Sequence, residues 1–404
     1  MTTIDKAGKI EEVSFKSEST DSLVIADNIQ AIIGQWDQHA GEISYASSNY
    51  LSLLEKFGPI GYSYYYALLK KDNKVVGLIY CQHKPLELHK DFRVHTHSDA
   101  LYEKIKVKVT KALFKLVRND ILICGNVLLT GEYGIRLDES IEEDQNKLVT
   151  QVLEKIRAFI KKHHKIKIKS TMLKDFYISG PLKQQEFKSS AYTNFKVQPD
   201  MIVTIRKEWK TYDDYLASVK SKYRVKFKKV KKKGSGLSFR LLSTDDVTKY
   251  NTAMYNMYKE ISGRATFNMF LLDENYFLKL REAFSDNLIL YGVFLNDEIV
   301  AFFTYLRNGK VGDAHFLGYI PELNNKHQIY FNILLRLIET AIEDGVDYLN
   351  LSRTALEIKS SVGAEAYDME VHLHYHIGWI NKLLPFLLGK FVPENNWLPR
   401  SPFK

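Results

Sequence analysis

The densest group of residues able to do chemistry in this chain is basic. Eight of the thirteen residues in SKYRVKFKKVKKK, residues 221–233, are Lys or Arg. A cluster of this kind usually meets phosphate, on nucleic acid, on a membrane surface or on a phosphorylated cofactor. A solvated helix face that binds nothing fits the same pattern.

A predicted helix over residues 212–233 carries this cluster. Thr211 and Asp214 have the spacing of a capping box, and Gly234 marks the end of the helix. Apolar residues recur at spacings of three and four, at Leu216, Val219, Tyr223, Phe227 and Val230. The lysines are therefore expected on the face opposite an apolar stripe.

A second group lies in VGDAHFLGY, residues 311–319, which is predicted to be a strand. Asp313 and His315 alternate onto one face of this strand, where His315 could take a proton from an attacking amine. Tyr319, at the end of the strand, could donate a proton to the departing group. A core histidine satisfied by hydrogen bonds is the structural alternative for His315.

A third group follows the predicted strand at residues 348–352. Arg353 and Lys359 are expected to face an anion, and a structural ion pair is the alternative for Arg353. Thr354 and Glu357 have the pattern of a capping box that opens a short helix ending at Gly363. Those two residues can therefore be purely structural.

No metal site is expected. His372, His374 and His376 share one face of the strand-like run VHLHYH, but no acidic or cysteine residue with ligand spacing is nearby. The sequence contains no Gly-x-Ser-x-Gly elbow, Walker loop or Gly-x-Gly-x-x-Gly fingerprint. These observations argue against a covalent hydrolase and against nucleotide hydrolysis.

Composition indicates a folded protein with more than one domain. The chain has 404 residues, 45% of them hydrophobic, and a net charge of +9. Two isolated cysteines, Cys81 and Cys124, fit a reducing cytosol. Because the sequence shows neither a signal peptide nor a run of 18 apolar residues, we expect a cytoplasmic location.

The C-terminal tail is apolar and edged with aromatic residues, yet too short to span a bilayer. It is expected either to dip into the inner face of the plasma membrane beside the basic helix, or to dock on the protein's own core. Its apolar residues are Trp379, Leu383, Leu384, Phe386, Leu387, Leu388, Phe391 and Trp397.

The elements that position these groups occur twice. Each half contains a short amphipathic helix, a β-hairpin, a strand, a long helix and a further strand, starting near Asn49 and near Asn275. The long helices are predicted from about residue 144 to 163 and from 328 to 344, and the last strands lie near Ile166 and Tyr348. The strand, helix and strand at the end of each half predict a parallel pair. The fold class is therefore α/β, with two copies of one domain.

The run YLNLSRTALEIKSSVGAE, residues 348–365, with HFLGY before it and the basic helix, resembles the GNAT acyltransferase superfamily. The similarity is to its tandem-domain branch, which is related to the FemAB-like peptidoglycan transferases. The resemblance implies two GNAT-like domains, each with a mixed central sheet flanked by helices. They would be an N-terminal domain at residues 1–190 and a C-terminal domain at 191–404, which holds the basic helix and the tail.

The resemblance also implies where the substrates bind. The acyl donor would lie where two parallel strands splay apart, with its pyrophosphate against the start of the following helix at Lys326, His327 and Gln328. Arg353 and Lys359 join this donor set. The set assigned to the acceptor substrate is Ser221, Lys222, Arg224 and Arg264.

Three functions stay open at this stage. The first is an N-acyltransferase that moves an acyl group from acyl-CoA to a primary amine of a lipid or cell-envelope precursor. The second is a FemAB-like transferase that uses aminoacyl-tRNA and a lipid-linked peptidoglycan precursor, which fits the loop NNKHQ because that loop lacks a glycine-rich phosphate cradle. The third is a non-catalytic module that binds an anionic membrane or nucleic acid.

Overall fold

The structure is a computed structural model, and it describes residues 8–14, 21–41, 44–87, 118–141, 144–264, 270–284, 287–382 and 397–404. Within these residues, fourteen strands form one mixed sheet. The strands are β1 Ile10–Ser14, β2 Ser22–Ala26, β3 Ser63–Lys71, β4 Lys74–Glu87, β5 Arg118–Cys124, β6 Ile135–Leu137, β7 Ser170–Tyr177, β8 Thr193–Thr204, β9 Leu237–Leu241, β10 Leu288–Leu295, β11 Glu298–Asn308, β12 Val311–Tyr319, β13 Tyr348–Asn350 and β14 Glu365–Tyr375.

The helices cover both faces of this sheet. They are α1 Ile33–Ala40, α2 Ser48–Phe57, α3 Gln145–His164, α4 Tyr212–Ser218, α5 Ser221–Lys233, α6 Thr244–Gly263, α7 Tyr276–Ala283, α8 Pro321–His327, α9 Ile329–Asp344 and α10 Leu356–Ser360. Short 3-10 turns lie at Ile29–Ala31 and Ser44–Ala46.

The predicted repeat is confirmed. Helix α2, the β3–β4 hairpin, β5, α3 and β7 correspond in order to α7, the β10–β11 hairpin, β12, α9 and β13. Asp72 and Asn73 in one hairpin, and Asn296 and Asp297 in the other, have positive φ angles, as a two-residue turn between twisted strands requires. The pairs β5–β7 and β12–β13 are parallel, as predicted.

One strand joins the two halves. The sheet order is β1-β2-β3-β4-β5-β7-β14-β8-β13-β12-β11-β10-β9, with β6 on β4. Strand β14 pairs antiparallel with β7 on one side and with β8 on the other. Both halves therefore share one continuous sheet, and the predicted domain boundary at residue 190 lies between β7 and β8.

Three apolar clusters hold the helices on the sheet. One lies under α3 in the N-terminal half, and another packs α4, α5 and α9 in the C-terminal half. The third belongs to both halves, because it combines α1 and α2 with α6 and α7. Burial of this shared cluster stabilises the contact between the halves.

The basic helix is shorter than predicted. The expected capping box of Thr211 and Asp214 is present, but it opens the short helix α4, and the basic residues belong to the separate helix α5. Val219 between them is extended and bridges to Phe403, while the Lys220 N–H donates to the Pro402 carbonyl at 2.8 Å. This strand-like pairing interrupts the helix at a point where spacing alone predicts continuity.

The last strand of the N-terminal half starts at Ser170, four residues after the predicted Ile166. In the described residues, no helix has both the length and the apolar character needed to cross a bilayer. Residues 383–396 of the predicted apolar tail lie outside the described residues. Of its flanking tryptophans, Trp379 is exposed and Trp397 packs against the cluster under α9.

Candidate donor groove and junction site

Four lysines of helix α5 line one groove. Lys222, Lys226, Lys229 and Lys233 follow one another at spacings of four, three and four, which places them on one stripe of the helix. The groove has a volume of about 1260 Å³ and lies between α5, the start of α9 and helix α10. Such a row of cations is suited to several phosphate groups in succession.

The floor of the groove is apolar and aromatic. Tyr223, Phe331, Leu356 and Trp397 contribute to its lining. Lys226 Nζ lies 4.8 Å from the centre of the Phe331 ring and donates to Ser361 Oγ at 3.3 Å. Burial, reinforced by nearby Arg400, lowers the pKa of Lys226.

The start of helix α9 lies at one end of this groove. Gln328 lines the groove in a left-handed conformation and separates α8 from α9. The Tyr330 N–H, in the first turn of α9, donates to Asn324 Oδ1 at 2.9 Å. One of the donors that a helix start offers to an anion is therefore already satisfied by the protein.

The predicted phosphate residues before α9 are only partly in place. Gln328 lines the groove, whereas Lys326 and His327 form the last turn of α8 and do not. They lie in a helix because α8 starts at Pro321 and extends into the predicted loop NNKHQ.

Strands β12 and β13 splay apart after a short paired stretch. They pair only from Val311 to Asp313, and the last pair is Asp313 with Asn350. Asp313 is buried, and its Oδ2 has no hydrogen-bond partner among the described residues. Burial and the neighbouring Asp200 raise the pKa of Asp313 well above its ordinary value.

The three predicted catalytic residues do not form one group. Asp313 and His315 lie on the face toward the N-terminal half, where the Tyr276 hydroxyl is 2.6 Å from His315 Nε2. Burial lowers the pKa of His315 to about 3, which makes it a weak base. Tyr319 lies on the other face and packs against Tyr330 of α9. The pKa of Tyr319 is raised by burial.

Arg353 and Lys359 bind groups of the protein itself. Arg353 forms an ion pair with buried Asp175 of β7, which is the structural alternative considered above. Lys359 Nζ donates to the carbonyls of Leu351, Ser352 and Arg353 at 2.6 to 3.0 Å. Burial lowers the pKa of Lys359 to about 7. Both residues thus hold the chain that follows β13 in place. Because their charges are already paired with groups of the protein, neither side chain requires the anionic ligand that the sequence predicted.

The predicted capping box of Thr354 and Glu357 is wrong. Thr354 and Ala355 both have positive φ angles, so the chain enters α10 through a left-handed residue and without a side-chain cap. Glu357 instead forms an ion pair with Arg400, which lines the groove.

Only part of the predicted acceptor set lies in the groove. Ser221 and Lys222 line the groove, whereas Arg224, on the same helix, does not. Arg264 does not line it either; it pairs with Glu260 at a separate cavity of about 540 Å³. The groove therefore brings together members of the predicted donor and acceptor sets at one place.

Of the three predicted histidines, His374 and His376 lie together, with ring centres 4.7 Å apart, but His372 does not join them. His372 contacts the rings of Phe176 and Phe187, while His374 Nδ1 lies 2.6 Å from the Ala191 carbonyl oxygen. No cluster of potential metal ligands is present in the part of the chain that the structure describes.

Sequence reasoning missed several residues of the site. The 4-3-4 spacing of the α5 lysines could have identified them as one stripe. Asp175 and Asp200 carry no such signal, because a carboxylate in a strand becomes notable only when its burial is known.

Comparison with known proteins identifies the family. The family model FemAB_like, described as peptidoglycan biosynthesis/recognition, matches residues 123–366. No curated protein sequence matches the chain.

Three solved structures are similar to this chain. FemX is 12% identical with a TM-score of 0.50, over 93% of this chain and 99% of that chain. A tandem GNAT protein from the clavulanic acid biosynthesis pathway is 10% identical with a TM-score of 0.48, over 91% and 98%. L-PGS from Bacillus licheniformis is 11% identical with a TM-score of 0.42, over 85% and 96%. The predicted α/β fold of two tandem GNAT-like units is confirmed.

Proposed function

The chain belongs to the FemAB-like family of peptidoglycan biosynthesis and recognition, and from that membership we propose an aminoacyltransferase of the cell envelope. Family membership supports a transferase acting in cell-envelope biosynthesis. The finer proposal is that an aminoacyl group passes from tRNA to a primary amine of a lipid-linked precursor. The donor would lie in the basic groove.

The observation that carries the proposal is the stripe of four lysines on α5. Lys222, Lys226, Lys229 and Lys233 extend along twelve residues of one helix, and at a rise of 1.5 Å per residue the row is about 16 Å long. Phosphates repeat along a nucleic-acid strand at intervals that such a row can follow. A single pyrophosphate would occupy only part of it.

The start of α9 also favours tRNA over coenzyme A. A pyrophosphate bound at a helix start depends on free N–H groups in the first turn. Here Asn324 already accepts the Tyr330 N–H, and the loop contains no glycine that would let a phosphate approach the backbone closely.

Acyl-CoA is the second candidate donor because of one observation, the apolar floor of the groove. Phe331, Leu356 and Trp397 could cover an acyl chain or the pantetheine arm of coenzyme A. In either case the acyl carbonyl would enter the splay after Asp313 and Asn350, and the amine would attack it there. A peripheral membrane contact that brings a lipid-linked acceptor close stays a prediction.

A binding experiment separates the two donors. We would measure the affinity of the full chain for bulk aminoacylated tRNA and for acyl-CoA at several salt concentrations. We expect saturable tRNA binding. The logarithm of its association constant should fall linearly with the logarithm of the salt concentration, and the steepness of this dependence should decrease by about one for each groove lysine removed. Acyl-CoA binding that resists salt, with no tRNA binding, would contradict the proposal.

Helix α5 provides a matched control for this measurement. Lys222→Ala with Lys229→Ala removes two lysines from the groove, whereas Lys228→Ala with Lys232→Ala removes two exposed lysines of the same helix that do not line it. Equal losses in both double variants would mean that tRNA binds the helix without using the groove. Binding without transfer to any amine acceptor would favour the non-catalytic alternative.

A further inference from the structure

A second basic cluster lies where helix α3 leads into strand β7. Residues 161–169 read KKHHKIKIK, with five lysines, two histidines and no acidic residue. Lys161, Lys165 and Lys167 are exposed and form no ion pair with any residue that the structure describes. These lysines are not part of the basic groove, so donor binding there does not explain them.

Trp379 is the exception among the aromatic side chains. Its exposed fraction is 67%, whereas every other Phe, Tyr and Trp of the described residues is buried or half-buried. Ile377, two residues earlier, is 39% exposed. Tryptophan is the side chain that most favours a boundary between an apolar layer and water, so this exposure suggests a partner.

An ordered turn fixes the exposed position of Trp379. The Ile377 carbonyl accepts the N–H groups of Ile380 and Asn381, each at 3.0 Å. Asn381 Oδ1 accepts the Tyr375 N–H at 3.0 Å, which ties the turn to the end of β14. The backbone therefore holds the indole on the surface.

The exposed turn and the basic cluster lie on one surface. The His376 N–H donates to the Lys169 carbonyl at 2.8 Å, which continues the pairing of β14 with β7. His376 Nδ1 also lies 2.7 Å from Arg157 Nη1 of α3. Arg157, Lys161 and Lys165 follow one another at spacings of four, so they form a stripe that starts beside His376.

The acidic side chains beside this cluster are already paired. Glu154 pairs with Arg157 at 2.6 Å, and Glu11 pairs with Lys162 at 2.9 Å. Glu11 also contacts His163 at 2.7 Å. The exposed lysines that remain therefore give this surface a positive charge.

Lysines beside an exposed indole fit an anionic lipid membrane. Lipid phosphates attract the lysines, and an indole ring lies at the boundary between the headgroups and the acyl chains. Nucleic acid would also attract the lysines and would stack on Trp379, but it would leave Ile377 in water. Lipid would cover both apolar side chains, which favours the membrane.

This surface and the basic groove lie at opposite ends of β14. The strand starts at Glu365, just after helix α10, which lines the groove, and it ends at Tyr375. At a rise of about 3.4 Å per residue, the strand is about 34 Å long. That distance is several Debye lengths at physiological ionic strength, so a membrane bound at this surface would not repel an anionic donor in the groove.

We propose that the Trp379 surface, defined by Lys161, Lys165, Lys167, Ile377 and Trp379, docks the protein on anionic lipid membranes. The sequence predicted a membrane contact beside helix α5, whereas this surface lies at the other end of β14. The inference goes beyond the proposed function and does not depend on it, because docking requires neither donor nor acceptor.

Flotation of the full chain with lipid vesicles tests the role of the lysines. We expect binding to vesicles of mixed phosphatidylcholine and phosphatidylglycerol, and none to phosphatidylcholine alone, at physiological salt. Lys165→Ala with Lys167→Ala should lower the partition coefficient about 25-fold, at about fivefold per lysine. Lys228→Ala with Lys232→Ala removes the same charge from exposed positions of α5 and should leave vesicle binding unchanged.

A second set of variants tests the apolar side chain. Trp379→Ala should weaken vesicle binding about tenfold, whereas Leu241→Ala, at a 65% exposed position of β9, should not. Brominated lipid should quench the tryptophan fluorescence of wild type. It should quench Trp379→Phe much less, because that variant keeps an aromatic ring but lacks the indole that enters the interface.

The outcomes separate this inference from the proposed function. Vesicle binding that is absent, that does not require phosphatidylglycerol, or that both lysine pairs lower equally overturns the inference even if transfer occurs. If Lys165→Ala with Lys167→Ala weakened tRNA binding and left vesicle binding intact, the surface would bind RNA and the inference would be wrong. Docking through the Trp379 surface without transfer from any donor supports the inference and contradicts the proposed function.

Discussion

At the scale of single residues, the junction between the halves is a network of buried charges. Lys174 and Arg353 both contact Asp175, and Asp200 accepts a hydrogen bond from the Tyr177 hydroxyl at 2.6 Å. Burial opposes ionisation of Asp175, but Arg353 and Lys174 outweigh it and hold the pKa of Asp175 below its ordinary value. The network orders the residues that follow β13, at the edge of the splay.

Arg353→Ala should destabilise the protein by about 3 kcal/mol, because it removes one partner of a buried ion pair. The free energy of unfolding, measured by urea denaturation, checks this value. Lys196→Ala serves as control, since the Lys196–Asp368 pair is exposed and its loss should change stability little. A small effect for both variants would show that Lys174 alone suffices for Asp175.

Asp200 should make stability depend on pH. Burial raises the pKa of Asp200 to about 6, so the unfolded chain releases this proton at lower pH than the folded protein does. Ionisation of Asp200 therefore destabilises the folded protein increasingly as pH rises from about 4 to about 6. Asp200→Asn keeps the shape of the side chain but cannot ionise. The free energy of unfolding of this variant, relative to that of wild type, should therefore increase by about 2 kcal/mol between pH 4 and pH 7. A stability difference that stays constant over this range would contradict the assignment.

Among the helices and strands, the sequence predicted the features that depend on residues close together in the chain. The hairpin turns at Asp72-Asn73 and Asn296-Asp297, the long helices and the parallel pairs were all predictable from spacing and turn residues. The break between α4 and α5 was not, because it depends on pairing with Phe403, almost two hundred residues away. The roles of Arg353 and Lys359 were likewise hidden, since their partners come from tertiary structure.

Asn332 should be critical for the groove, because it ties α5 to the start of α9. Its Nδ2 donates to the Val230 carbonyl of α5 and to the carbonyls of His327 and Gln328. Asn332→Ala removes these three hydrogen bonds between α5 and the start of α9, so we expect a loss of about 2 kcal/mol in stability and weaker donor binding.

Urea denaturation and the tRNA titration together measure both effects of Asn332→Ala. Asn324→Ala is the informative comparison, because it frees only the Tyr330 N–H. If Asn332→Ala changed neither stability nor donor binding, the packing of α5 against α9 would not depend on this side chain.

At the scale of the whole molecule, the two halves form one structural unit. Strand β14 continues the sheet from β7 to β8, and the cluster of α1, α2, α6 and α7 has no counterpart in either half alone. This arrangement places the shared cluster between the halves and the basic groove on the opposite face of the sheet. The sequence repeat indicated two copies of one unit. It could not indicate that they share a core, because nothing in the sequence of β14 shows that this strand pairs with both β7 and β8.

The shared core predicts that both halves unfold together. Trp36 reports on the N-terminal half, and Trp209 and Trp397 report on the C-terminal half. In wild type, tryptophan fluorescence and far-UV circular dichroism should give the same urea midpoint. In Trp36→Phe, whose fluorescence no longer includes Trp36, the two signals should again agree, at a midpoint changed only by the small effect of the substitution. Two separate transitions would show that the halves fold independently.

One assay measures directly whether an aminoacyl group passes from a donor in the basic groove to an amine. Charged tRNA carrying labelled amino acids is incubated with the full chain and a lipid-linked peptidoglycan precursor, and the label in the precursor is measured. We expect base-stable label that requires the protein, that falls at least about tenfold in the Lys222→Ala, Lys229→Ala double variant and that persists in Lys228→Ala, Lys232→Ala. Label that appears from acyl-CoA and never from charged tRNA would contradict the proposed function.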